Sequence, residues 1–376
     1  TYNGNGSWSV PLTLTSGTTT FTAQDAASVA RNITMSGLIS GAGALTKTGA
    51  GTLTLSALNT YTGNVLASAG TVEVNSGSDV LNRASSPLGN PQTSGRTVTL
   101  DNSGTTLYFT AHDSLGNAKS TPVMKLIANA GTTIKSGGAL ATVGPIDLNG
   151  ATLQATTGHT NSFGFQLNGT ITVGGSTAST MTNDNGRLFY LNNVTTGRQT
   201  TFDVGNATGD ASTDLTVSGV MRNGWDNGAS GLIKSGAGTM SLTLTNSYTG
   251  LTTINAGTLA LGHATDTIAN SGAVTVDGAT AILSIGGNSD TVGAVTLKNG
   301  AAITGTTGTL TGASYAVESG SVSAKLGGAV ALTKSTGGTV TLTGANTYSG
   351  NTNINAGTLA LGTGGSIASS PGIAVA

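Results

Sequence analysis

Polar and apolar residues alternate in short runs along most of the chain. Thr52-Leu53-Thr54-Leu55, Thr71-Val72-Glu73-Val74 and Met240-Ser241-Leu242-Thr243-Leu244 are three such runs, and Thr258-Leu259-Ala260-Leu261 and Thr358-Leu359-Ala360-Leu361 are two more. A period of two puts alternate side chains on opposite faces of a strand. Each run therefore predicts a half-buried strand with an aliphatic inner face and a hydroxyl-rich outer face. Helical periodicity is missing.

Corners separate the strands. Asn59-Thr60-Tyr61-Thr62-Gly63 and Asn346-Thr347-Tyr348-Ser349-Gly350 are examples, and Asn and Gly tolerate the left-handed backbone that sharp corners require. The same grammar recurs in looser form. Val98-Thr99-Leu100 leads to Leu107, Ile146-Asp147-Leu148 to Leu153, Val274-Thr275-Val276 to Ile282, and Val295-Thr296-Leu297 to Ile303.

Three stretches, from Leu45, Leu232 and Leu332, align without a gap. Each carries a Lys (Lys47, Lys234, Lys334), then a Tyr (Tyr61, Tyr248, Tyr348), a first Gly (Gly63, Gly250, Gly350) and a second Gly (Gly70, Gly257, Gly357) at matched spacing. A fixed unit of this kind marks a solenoid. Short strands, corners and one inward apolar face predict an all-β chain. The expected architecture is a single parallel β-helix over residues 1–376, right-handed as parallel crossovers are, with roughly 20–25 residues per coil. A tandem of β-sandwiches is the competing architecture and predicts hairpins and longer strands. Two irregular stretches, about 76–96 and 183–230, are expected to leave the coil as loop excursions.

Composition narrows the functional classes. Only 8% of residues are charged and 4% are aromatic, while Gly contributes 59 of 376. A disordered chain is rich in charge and poor in β-branched residues, the reverse of this one. The 14 Lys plus Arg are scattered and the net charge is −1, so no basic stripe exists for nucleic acid or an anionic membrane surface. There is no cysteine, which removes disulfides, thiolate metal sites and cysteine nucleophiles. No stretch approaches the roughly 20 apolar residues of a membrane helix.

Candidate chemistry is thin. Catalytic β-helices need carboxylates, or a carboxylate with a cation, gathered on adjacent coils. Asp210, Asp214 and Asp226, near Arg222 and with Trp225 as a sugar-stacking platform, form the best set for a carbohydrate site in the 183–230 loops. Asp210 and Asp214, with the Asn183-Asp184-Asn185-Gly186 run, also offer hard oxygens for calcium, although no known calcium-loop spacing is present. His112-Asp113-Ser114 is a sequence neighbourhood and not a triad, because adjacent strand residues face opposite ways. His159 and His263 are isolated. No catalytic residue, cofactor or metal is assigned. The repeated lysines are expected at outward corners. The repeated tyrosine rings should pack at corners with the hydroxyl on water or backbone, and the repeated asparagines should stack coil on coil.

The three units resemble the autotransporter-associated β-strand repeat. The matching residues are the Lys-x-Gly-x-Gly-Thr-Leu-x-Leu run at Lys47 to Leu55, the Asn-x-Tyr-x-Gly corner, and Asn-Ala-Gly-Thr-Leu-Ala-Leu-Gly at Asn255 to Gly262 and Asn355 to Gly362. Thr336 stands where the other copies have Gly, and Ser68 where they have Asn. The resemblance implies a right-handed parallel β-helix, secreted or displayed on the surface of a bacterium with an outer membrane. It implies no activity. The expected role is structural: a stalk, an adhesive surface against host or matrix, or a fibre subunit joined end to end with other copies through strand-competent ends such as Ala374-Val375-Ala376. A carbohydrate-active β-helix is the alternative.

Overall fold

The computed structural model describes residues 5–79, 84–117, 119–137, 140–156, 163–184, 186–192, 194 and 198–376. The chain divides into two compact units, 1–195 and 196–376. Among the described residues there is no helix, and every pairing between named strands is parallel. That arrangement is the parallel β-helix, and it excludes tandem sandwiches built from hairpins.

In the first unit one ladder runs through strands Gly6–Trp8, Ile33–Met35, Thr52–Leu55, Thr71–Val74, Thr106–Phe109, Thr133–Ser136, Thr152–Ala155 and Ser179–Asn183. A second runs through Thr18–Thr22, Ala44–Thr48, Val65–Ala67, Thr97–Leu100, Lys125–Ala128, Ile146–Leu148 and Ile171–Val173. The chain alternates between the two ladders, so each circuit lays one strand on each. A short third ladder stacks Ala141–Val143, Phe165–Leu167 and Leu188–Tyr190. In the second unit one ladder begins at Thr213–Ser218 and continues through Thr239–Leu242, Gly257–Leu261, Ala281–Gly286, Ala301–Gly305, Gly320–Val322, Thr339–Leu342 and Thr358–Leu361. Its counterpart begins at Gln199–Val204 and includes Gly231–Ser235, Thr252–Ile254, Val274–Asp277, Asp290–Lys298 and Thr309–Val317.

The alternation read from sequence sets which face is buried. Leu53, Leu55, Val72, Val74, Leu107, Phe109, Ile134 and Leu153 form one inward stripe, all buried. Aliphatic partners in register stack directly from coil to coil, so each coil's apolar face is buried by its neighbours. Of the looser copies, one shifts by a residue: Leu283 points inward and Ile282 outward. On the outside, hydroxyls take the place of charge. Thr22 and Thr48 share a hydrogen bond at 3.0 Å, Thr152 and Thr180 another at 3.0 Å, and Thr54 donates to Glu73 at 2.9 Å. Coil length varies more than expected. Register partners Thr54 and Glu73 lie 19 residues apart, but Thr152 and Thr180 lie 28 apart.

The stretch 183–230 is less loop-like than its composition suggests. It holds strands Leu188–Tyr190, Gln199–Val204, Thr213–Ser218 and Val220–Arg222. Its charged residues sit mainly in the turns between those strands. In the 76–96 stretch, Leu88 and Arg96 are buried. Arg96 donates to the carbonyls of Gly63 (2.7 Å) and Leu88, and its guanidinium lies 4.8 Å over the Tyr61 ring.

Candidate functional site

Each of the three aligned stretches lays down four strands on two successive coils. In the first, Ala44–Thr48 pairs with Val65–Ala67, and Thr52–Leu55 pairs with Thr71–Val74. The stretch is therefore a piece of chain that contains its own coil-to-coil contact. Its lysine and second glycine sit at that contact, whereas its asparagine and first glycine meet chain outside the stretch.

The lysines do not occupy outward corners. Lys47, Lys234 and Lys334 are all 0% exposed. Lys47 has the same strand parity as Leu45, so its stem joins the inward column between register partners Phe21 and Ala67. Its ammonium ends at the turn, donating to the carbonyls of Thr48 (3.0 Å), Gly49 (2.7 Å) and, on the next coil, Ala69 (2.8 Å). Lys234 repeats the arrangement on Ser235 (2.8 Å), Gly236 (2.8 Å) and Ala256 (3.1 Å). Lys334 donates to Thr336 and to Ala356 at 3.1 Å. Each lysine thus ties two coils together through backbone carbonyls at the turn. Burial pushes the Lys47 and Lys234 ammonium groups down to about 8, and lowers that of Lys334.

The asparagines bridge coils through the backbone and do not stack on one another. Asn246 accepts from the Met221 amide of the preceding coil (2.8 Å) and donates to the Thr267 carbonyl of the following one (2.9 Å). Asn346 does the same between Leu326 (3.0 Å) and Ser366 (3.1 Å), and Asn59 between Ile39 (2.7 Å) and Pro87 (2.7 Å). Side-chain stacking occurs elsewhere, where Asn149 donates to Asn129 (3.1 Å) and Asn129 to Asp101 (3.2 Å).

Two of the three tyrosine hydroxyls find a side chain in place of water or backbone. Tyr248 shares a hydrogen bond with Thr252 at 2.9 Å, and Tyr348 with Thr352 at 2.8 Å. In the first copy Val65 replaces that threonine, and the buried Tyr61 hydroxyl is left without a hydrogen-bond partner. The two glycines share close coil approach, but only one of them also has a left-handed backbone. Gly70, Gly257 and Gly357 have φ of 66°, 63° and 75°. Gly63, Gly250 and Gly350 have no left-handed backbone. A Cβ on Gly63 would meet the Gly43 carbonyl oxygen at 2.2 Å, so close coil approach is what excludes a side chain there.

A family model described as the passenger-associated-transport-repeat matches residues 45–74, 232–261 and 332–361. The chain carries three passenger-associated-transport-repeats. They make up under a third of its length, and they cover the clasps of buried lysine, asparagine, tyrosine and glycine just described. No curated protein and no solved structure matches the chain.

Outside the passenger-associated-transport-repeats, the carboxylates singled out from sequence are separated by role. Asp214 is fully buried; one oxygen accepts from the Thr208 amide (2.8 Å) and hydroxyl (2.9 Å), and the other from the Thr239 amide (2.8 Å). It pins the 205–213 turn to the next coil. Asp210 is exposed in that turn, accepting from the Ser212 amide at 2.7 Å, and this hydrogen bond holds its carboxyl below the usual range. Asp226 is ion-paired with Arg198. Arg222 donates to Asn227 at 2.8 Å, and Trp225 is 42% exposed beside them. Asp214 thus faces into the coil while Asp210 faces out. Ser114 donates to the Ala111 carbonyl at 2.7 Å, and His112 Nδ1 accepts from the Leu140 amide at 3.1 Å, so His112-Asp113-Ser114 forms no relay. His159 and Asn185 lie outside the described residues. Among the described residues, no three His, Asp or Glu side chains gather in a metal-holding group.

Proposed function

We propose that this protein is a secreted, surface-displayed β-helical passenger with a structural role, not an enzyme. The observation that carries this reading is where the repeat residues are used. Lys47, Asn59, Tyr61, Lys234, Asn246, Tyr248, Lys334, Asn346 and Tyr348 are all buried between coils. The recurring residues serve cohesion, and none presents a functional group to solvent. The carboxylates that a sugar-cleaving site would need are held by backbone amides or by Arg198, which also favours a structural body over catalysis.

Surface display is tested by placing an epitope in the exposed turn around Gly209 of the full-length protein, in a bacterium with an outer membrane. Labelling of intact cells is the expected result. Labelling only after permeabilisation would refute display. Sugar release from a polysaccharide panel, abolished by Asp210→Asn and Asp226→Asn, would refute the non-enzymatic part. For assembly we propose self-association of copies through β-strand pairing. Isolated particles at every concentration in electron micrographs would rule that out.

A further inference from the structure

One coil position departs from the asparagine bridge. Asp290 takes the place that Asn246 and Asn346 take on their coils: its Oδ2 accepts the Ile268 amide of the preceding coil at 3.0 Å. In the asparagines the second atom of the amide is an N–H donor that reaches the following coil's carbonyl. In Asp290 that atom is an oxygen. The residue is 3% exposed, and its Oδ1 has no hydrogen-bond partner. A buried carboxylate oxygen without a hydrogen bond is costly unless something positive stands beside it.

The surroundings supply further side-chain oxygens, and the Thr267 and Thr291 amides also stand near the carboxyl. Asp290 and Asp266 both line a groove of about 180 Å³, together with Thr265, Ser289 and Thr309. No lysine or arginine pairs with either carboxylate among the described residues. Lys325, opposite Thr309 in register, forms no ion pair among the described residues. Asp266 sits at φ 52°, a left-handed corner that brings the 264–267 turn over the groove. Two carboxylates lining one groove, one of them buried with an unused oxygen, are what a hard cation would relieve.

We propose that this groove is a divalent-cation site of the calcium type, with Asp266 and Asp290 as carboxylate ligands and the hydroxyl oxygens of Thr265, Ser289 and Thr309 around them. Two carboxylates with neutral oxygens place the site in the weak class, with a Kd of roughly 10⁻⁴–10⁻³ M, as in extracellular modules. Bound calcium joins the 264–267 turn to the 289–291 strand start and so locks two successive coils, the role that asparagine plays elsewhere.

The test uses the full chain, with calcium chloride as titrant in calorimetry and urea midpoints read by Trp225 fluorescence in a Trp8→Phe background. Wild type should give saturable heat in that range and a higher midpoint with calcium. Asp266→Asn, which keeps a residue suited to the left-handed corner, should fold with an unchanged calcium-free midpoint and lose both responses. Asp290→Asn should raise the calcium-free midpoint by restoring the missing donor, and should also lose the calcium response. No response in wild type, a response that survives either variant, or an equal shift from magnesium chloride would each overturn the site.

Discussion

Three glycines of the second unit separate backbone strain from coil crowding. Gly257, in the second repeat, has φ 63°, and an added Cβ would lie 2.4 Å from the Gly238 carbonyl oxygen and 2.5 Å from that of Gly236. Gly209 has φ 79° but nothing within 4 Å of its Cβ position. Gly337 has neither a left-handed backbone nor a neighbour within 4 Å. Forcing alanine into the left-handed region costs about 1–2 kcal/mol. Crowding a packed interior adds about 1–3 kcal/mol, here against carbonyls fixed in the ladder. Removing a flexible glycine where alanine fits gains about 0.4–1 kcal/mol through the unfolded chain. Gly337→Ala should therefore be neutral to stabilising, Gly209→Ala should lose about 1–2 kcal/mol, and Gly257→Ala about 2–5 kcal/mol. Urea unfolding followed by Trp225 fluorescence, with Trp8 replaced by Phe, reads the unit that holds all three. The midpoint and slope should be compared together, since a chain of two units is not bound to unfold in one step. If Gly257→Ala and Gly209→Ala lose equal stability, coil-to-coil approach is not why the repeat keeps its second glycine.

Other consequences follow from the clasps. Thr252→Val should orphan the Tyr248 hydroxyl and cost about 1–3 kcal/mol, whereas Val65→Thr should give Tyr61 its missing partner at little or no cost; a double-mutant cycle with Tyr61→Phe measures that coupling. Lys234→Met should keep the apolar stem but strip donors from Ser235, Gly236 and Ala256, with a loss of about 1–3 kcal/mol in urea unfolding; equal or greater stability in the variant would mean the buried charge is a net burden. Lys47 and Lys234 titrate near 8 in the folded chain against 10.5 unfolded, so the unfolded chain holds more protons between those values. Stability should rise with pH across that window, and the rise should shrink in a Lys47→Met, Lys234→Met double variant. Asp290 has the opposite sign: its carboxyl is raised from 3.8 to about 6, so in calcium-free buffer its contribution is lost as pH climbs through that interval, and Asp290→Asn should remove the slope.

Strand positions were legible because period two is a local property. Leu53, Val72, Leu107 and Leu153 needed no knowledge of their neighbours to be placed inward. The lysines were misread because a charged residue usually ends at the surface. The available signal was parity: Lys47 follows Leu45 by two and so shares its inward face. The asparagine bridges were out of reach, since each joins backbone groups about a coil away in both directions, and register between coils is set by corners whose length varies. Asp214 and Asp210 read alike in sequence, but a turn between them sends one carboxylate inward to Thr208 and Thr239 and leaves the other in water. Asp290 carried no motif; only its alignment with the Asn246 and Asn346 column made it stand out.

That each passenger-associated-transport-repeat encloses its own two-coil stack bears on how the chain acquires its shape. Lys47 reaches Ala69 over 22 residues, while Glu73 meets Thr110 across 37. Closing the shorter span loses less chain entropy, and contacts near in sequence form sooner. The repeats, like other short circuits such as Thr309 to Lys325, are thus suited to be nuclei: each can zip shut from local interactions and offer a finished strand edge on which longer circuits such as Glu73 to Thr110 can template.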